Sequence, residues 1–161
     1  MIFACLGLGS NVNAEVHIRA AIRELEEQFD SVVFSPAYAS QSVGFDGDDF
    51  INLVAGVETD MSPMELRQYL RDLEDRYGRK RDVPKFSDRS LDIDILLYDD
   101  LVLFSPVLEI PRAEILSFAH VLKPLADLVP DLVHPLARRS IAEVRELSGL
   151  DESGLSLLED F

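Results

Sequence analysis

The most restrictive feature of this sequence is the order of its hydrophobic periodicities. Residues 2–8, IFACLGL, form a short apolar run ending at Gly9 and read as a buried strand. Residues 14–29 place Ile18, Ile22, Leu25 and Phe29 at helical spacing, with Arg19, Arg23, Glu26 and Glu27 opposite. That pattern is an amphipathic helix. Residues 32–41 read as a strand interrupted near Pro36, because proline lacks the N–H that a ladder needs. Residues 50–58, FINLVAGVE, read as a third strand. Ser62-Pro63-Met64-Glu65 then announces a helix: a capping serine, a proline at the first helical position and a glutamate completing the capping box. Leu66, Leu70, Leu73 and Tyr77 give it an apolar face, and Gly78 stands where a helix stops. Leu91–Tyr98 is the fourth strand.

The order β-α-β-β-α-β predicts an α+β, ferredoxin-like core: an antiparallel sheet with two helices on one face. Beyond it, Leu101–Phe104 and Val107–Ile110 predict a hairpin turning at Ser105-Pro106. Ser140-Ile141-Ala142-Glu143 marks a further helix start among the C-terminal helices. Residues Asp151–Phe161 are expected to fray. With 161 residues, a single domain spanning 1–161 is expected.

The single cysteine, Cys5, lies in an apolar run and reads as a small core residue in a reducing compartment. No basic leader and no membrane-length apolar stretch is visible, so a cytoplasmic location and no membrane partner are expected. A net charge of −15 argues against a nucleic-acid partner. Yet Arg76, Arg79, Lys80, Arg81, Lys85 and Arg89 gather between the second helix and the fourth strand. An acidic chain that concentrates its cations in one place is suited to bind an anion there.

Asp92-Ile93-Asp94 is the sharpest chemical feature. In a strand, residues two apart share a face, so both carboxylates project together while Leu91, Ile93 and Ile95 face the other way. Two adjacent carboxylates need water or a cation. Mg²⁺ commonly takes one or two carboxylates plus phosphate oxygens and water. Arg89, three residues before Asp92, adds a phosphate partner.

The segment Arg89-Ser90-Leu91-Asp92-Ile93-Asp94-Ile95-Leu96 resembles the R-x-L-D-x-D-I-L signature of the 6-hydroxymethyl-7,8-dihydropterin pyrophosphokinases. Leu8-Gly9-Ser10-Asn11, Phe50-Ile51-Asn52, Leu73-Glu74 with Gly78-Arg79, and Val121-Leu122-Lys123-Pro124-Leu125 match further family segments in order, over about residues 2–135. The resemblance implies ATP-dependent transfer of pyrophosphate to a pterin alcohol, with release of AMP. Asp92 and Asp94 would hold two Mg²⁺ ions, and with Arg79 and Arg89 they form the catalytic set. Glu74, Arg81, Lys85, Arg89, Ile95 and Arg112 would serve ATP. Ser40, Val43, Phe50, Asn52, Phe86 and His120 would serve the pterin. The expected partners are those two small molecules only, on a monomeric protein.

Departures from the family pattern cluster on the pterin side. Gln41-Ser42-Val43-Gly44 stands where the family has P-P-L-G. Arg112 replaces a histidine, Phe118 falls at an arginine position, and His120 falls at a stacking aromatic. Two other readings therefore stay open: the same chemistry on a different acceptor, and a non-catalytic nucleotide- or pterin-binding module.

Overall fold

The computed structural model describes residues 1–42, 47–78 and 90–161. The elements run β1 (Ile2–Ser10), α1 (Ala14–Gln28), β2 (Val32–Phe34), β3 (Ala37–Ser40), β4 (Phe50–Thr59), α2 (Pro63–Arg76) and β5 (Asp92–Tyr98). There follow β6 (Leu103–Phe104), β7 (Glu109–Ile110), a 3₁₀ turn at Ala113–Leu116, α3 (Ala119–Leu128), α4 (Ile141–Ser148) and β8 (Ser156–Leu158). The main sheet has the order β5-β1-β4-β3-β8, and β2 also pairs with β4. Its pairings are antiparallel.

The expected interruption at Pro36 divides one strand into β2 and β3. Ser35 bridges the break. Its N–H donates to the Val54 carbonyl at 2.8 Å, and its hydroxyl oxygen accepts from the Val54 N–H at 2.9 Å. The hydroxyl thus replaces a backbone acceptor at the break. In α2, the Ser62 hydroxyl accepts from the Glu65 N–H at 3.2 Å, and the Glu65 carboxylate accepts from the Ser62 N–H at 2.9 Å. The predicted capping box is therefore complete. Gly78 has φ +81, a conformation that suits the helix exit only without a Cβ.

The predicted core is present, with helices on the second face as well. On one face, α1 and α2 bury Ile18, Leu25, Leu66, Leu70 and Leu73 against Leu6, Leu53 and Ile93. On the other, α3 and α4 bury Leu122, Leu125, Ile141 and Val144 against Cys5, Val54 and Leu96. A sheet covered on both sides explains why β1 is a nearly continuous apolar run.

Two expectations need correction. Residues Asp151–Phe161 do not fray. β8 pairs with β3, placing Leu158 opposite Ala37 and Ser156 opposite Ala39. Arg145 grips Glu152 through two bonds of 2.6 and 2.7 Å. Arg19 donates to the Asp160 carbonyl at 2.7 Å and lies 4.6 Å from the centre of the Phe161 ring. Arg76 belongs to the last turn of α2 rather than to a loop, and it pairs with Glu24 at 3.4 Å. None of the described helices is long and apolar enough to cross a membrane.

Candidate active site

β5 forms one edge of the sheet. Leu91, Ile93 and Ile95 are buried in the core, while Asp92 and Asp94 stay half-buried on the α3 side. The alternation read from the sequence therefore holds. The outer edge of β5 is closed at one point by α2. Glu74 is buried, and its carboxylate accepts the Ile93 N–H at 2.8 Å. This bond fixes the strand edge against the helix just beside the two aspartates.

Arg112 approaches the same carboxylates from the chain leaving β7. Its backbone N–H donates to the Leu96 carbonyl at 3.0 Å. Its guanidinium takes Glu114 through Nε at 2.9 Å and Nη2 at 2.6 Å, and Nη2 lies 3.6 Å from Asp94 Oδ2. Burial, and then the charge of Asp92, push the Asp94 carboxyl well above its ordinary value. Arg112 pulls it the other way without cancelling those effects. A cavity of about 240 Å³ opens here, lined by Arg67, Arg71, Glu74, Asp92, Asp94 and Arg112 among others, with Ile95 also in its wall.

A second set of residues follows from strand register. Asp92 lies opposite Gly9, Gly9 opposite Asn52, and Asn52 opposite Tyr38. These four occupy one cross-strand row, and opposite residues project to the same face. Asp92 and Asn52 are two strands apart, about 10 Å by ordinary strand spacing. The missing Cβ of Gly9 makes room for the Asn52 amide. A Cβ there would lie 2.7 Å from Asn52 Nδ2. Asn52 Oδ1 is buried and has no hydrogen-bond partner. A buried acceptor in that state calls for an explanation, and a ligand donor is one. Phe50, half-buried, lies opposite Ser40.

A larger cavity, about 540 Å³, adjoins this side. Ser40, Gln41, Phe118 and His120 line it together with Leu150, Leu155 and others from the C-terminal segment. Its described wall includes neither Phe50 nor Asn52. The Phe118 and His120 rings are stacked, 5.1 Å between centres and 25° apart. Burial lowers the His120 pKa, opposed in part by Glu114, so its ring is held toward the neutral form.

The structure thus gathers Glu74, Asp92, Asp94, Ile95 and Arg112 around one cavity, and Ser40 and His120 around another. Asn52 stands in the row with Asp92. The expectations for Val43, Arg79, Arg81, Lys85, Phe86 and Arg89 fall outside the described residues. Sequence reasoning missed Arg67 and Arg71. Their signal was helical: positions 67, 71 and 74 share one side of α2 with the singled-out Glu74. It also missed Glu114, which holds Arg112. His134 is structural: its Nδ1 accepts backbone N–H groups from Leu136 and Ala137 at 3.2 and 3.0 Å.

Comparison with known proteins gives this arrangement a family. The family model of 7,8-dihydro-6-hydroxymethylpterin-pyrophosphokinase matches residues 5–130. The chain belongs to this pyrophosphokinase family. The 2-amino-4-hydroxy-6-hydroxymethyldihydropteridine pyrophosphokinase of Pseudomonas aeruginosa is 38% identical over 137 residues, covering 83% of this chain and 84% of that protein. The enzyme of the same name from Aquifex aeolicus is 34% identical over 142 residues, covering 87% and 88%. The sheet and helices also superpose on wild-type HPPK-DHPS of Plasmodium falciparum with a TM-score of 0.72 at 13% identity, over 99% of this chain. This chain spans 50% of that longer one, and the likeness speaks for the fold. The ferredoxin-like core expected from the order of elements is the family's fold.

The donor set fits magnesium. Asp92 and Asp94 are two hard oxygen donors at one strand edge, beside a cavity that contains arginines. Mg²⁺ is ordinarily held by such a pair together with phosphate oxygens and water. Among the described residues there is no cluster of three or more metal-binding side chains.

Proposed function

We propose that this chain performs its family's reaction, ATP-dependent pyrophosphoryl transfer to 6-hydroxymethyl-7,8-dihydropterin, as one monomeric cytoplasmic domain. The observation that carries the reading is the shared row of Asp92, Gly9 and Asn52. Asp92 and Asn52 lie on one sheet face about two strand spacings apart, which supports a phosphate-and-metal end at the first and an amide-reading end at the second.

Asp92 and Asp94 would hold Mg²⁺. When bound, the metal neutralises charge on the phosphate oxygens. The chain's own residues do the rest. Arg112, with Arg67 and Arg71 on α2, supplies cations to the triphosphate at the smaller cavity. Ile95 offers the outward edge of β5 to the nucleotide. Glu74 keeps that edge in place through Ile93. On the acceptor side, Asn52 Oδ1 takes a donor from the pterin's amide-like edge, and Phe50 and His120 bracket its ring. Ser40 lies beside Phe50 and bounds the pocket. The acceptor's hydroxymethyl oxygen bonds to the β-phosphorus of ATP and gives up its proton to water, the bond from that phosphorus to the α–β bridging oxygen breaks, and AMP leaves. Holding the two substrates in line supplies most of the rate. By the family motifs alone, Val43 and Phe86 would serve the pterin, and Arg79, Arg81, Lys85 and Arg89 the triphosphate.

The test is AMP release from ATP with Mg²⁺, with and without the pterin alcohol. Release that depends on the pterin supports the reading. Binding of Mg-ATP without any pterin-dependent AMP would overturn the assignment of the acceptor.

A further inference from the structure

Arg112 stands where the family motif has histidine, and it is already engaged. Its fork is doubly bonded to Glu114, while Asp94 is a looser partner at 3.6 Å. A histidine is largely neutral near pH 7, whereas arginine always carries its charge. A metal on Asp94 and the guanidinium beside it draw on the same negative charge. Each therefore weakens the other unless one finds another partner. The same cavity offers that partner when a nucleotide enters, because phosphate oxygens suit the guanidinium fork. Among the described residues, Glu74, Asp92, Asp94 and Glu109 line the cavity together with Arg67, Arg71 and Arg112.

We propose that Arg112 couples metal uptake to nucleotide binding, acting as the counter-cation of Asp94 in the free protein and turning to the phosphates when metal and nucleotide arrive together. This rests on Asp92 and Asp94 being the metal ligands. Arg112 is thereby both a phosphate ligand and a brake on metal binding alone. A neutral side chain at this position lacks the brake and the coupling.

Mn²⁺ serves as the probe, its binding read from loss of the free-ion electron spin resonance signal. Wild type and Arg112→Gln are titrated alone and with an ATP analogue carrying methylene between the α- and β-phosphorus. Alone, Arg112→Gln takes Mn²⁺ about tenfold more tightly than wild type, within the usual span of coupling factors. The analogue tightens Mn²⁺ on wild type by more than it does on the variant. Equal affinities for the two proteins without nucleotide would overturn the proposal while leaving the metal site standing. If neither protein takes Mn²⁺ even with the analogue, the metal site falls and this inference with it. Arg112→Lys keeps the charge and guards against a Gln variant that misfolds. It binds Mn²⁺ alone as weakly as wild type, and tight binding would refute a role for charge.

Discussion

A buried amide oxygen with no donor costs about 1–3 kcal/mol, and Asn52 Oδ1 is in that position. Replacing Asn52 by the similarly sized leucine removes the unsatisfied acceptor. Asn52→Leu should therefore leave the melting temperature unchanged or raise it, while kcat/KM for the pterin falls on the order of 100-fold or more, the loss seen when a site built to hydrogen-bond a substrate loses its partner. Thermal unfolding and steady-state kinetics on one preparation check this. A large loss of stability would mean that the amide serves the fold and not the acceptor. Gly9 supports the same amide from the neighbouring strand. Gly9→Ala puts a methyl 2.7 Å from Asn52 Nδ2, so the amide must move. The expected cost is about 1–3 kcal/mol of stability, with the pterin KM raised and ATP-analogue affinity unchanged. These two residues also mark what the sequence could reveal at this scale. The shared face of Asp92 and Asp94 was legible because strand alternation is local. The unsatisfied state of Asn52 was not, because it depends on the register of β1, β4 and β3, set by chain segments far apart in sequence.

Elements with local stop and start signals were legible. The capping box at Ser62, the glycine after α2 and the break at Pro36 all stood in the sequence. α3 was harder to place. Phe118 precedes it without a side-chain cap, and Pro124 lies inside it, so neither cap chemistry nor propensity marks its bounds. β8 was misjudged for another reason. It has three residues and pairs with the edge of β3, and its flanks are held by two arginines, Arg145 of the preceding α4 on Glu152 and Arg19 of α1 on the Asp160 carbonyl. Its hold should weaken in acid. The Arg145 bonds keep the Glu152 carboxyl below its ordinary value of 4.5. A depressed carboxyl contributes its stabilisation fully above the unfolded value, and that contribution disappears as pH falls through the folded one. Below about pH 4.5, amide exchange at Ser156–Leu158, corrected for intrinsic rate, should therefore accelerate relative to that of β1. Glu152→Gln should already show the faster exchange at neutral pH and lose the acid dependence. Exchange that stays equal in the two strands down to pH 3 would mean that the β3 ladder alone holds the segment.

At the scale of the molecule, the order of elements gave the ferredoxin-like core but not the layer across its second face. Burial of that face was visible only as the lack of alternation in IFACLGL, which a buried strand and a buried helix share. Strand order was equally hidden, since β5 at the edge and β1 at the centre follow from pairing across the whole chain. The two layers raise a question of cooperativity. On the proposed reading the acceptor side draws His120 from α3 and Asn52 from the sheet, which ties the pocket to the docking of α3. Cys5 reports on that docking. It is fully buried between β1 and the α3–α4 layer, and burial pushes its thiol to about 12. Only the thiolate reacts, so at pH 8 the native thiol is about 10⁻⁴ ionised as well as covered. An aromatic disulfide reagent should label it only through opening. If the layers are one cooperative unit, the labelling rate falls with stability, and its urea slope equals the slope of global unfolding. A smaller slope would mean that α3 and α4 lift from the sheet by themselves. In that case a pterin analogue bound between His120 and Asn52 would slow labelling, because it binds only the docked form.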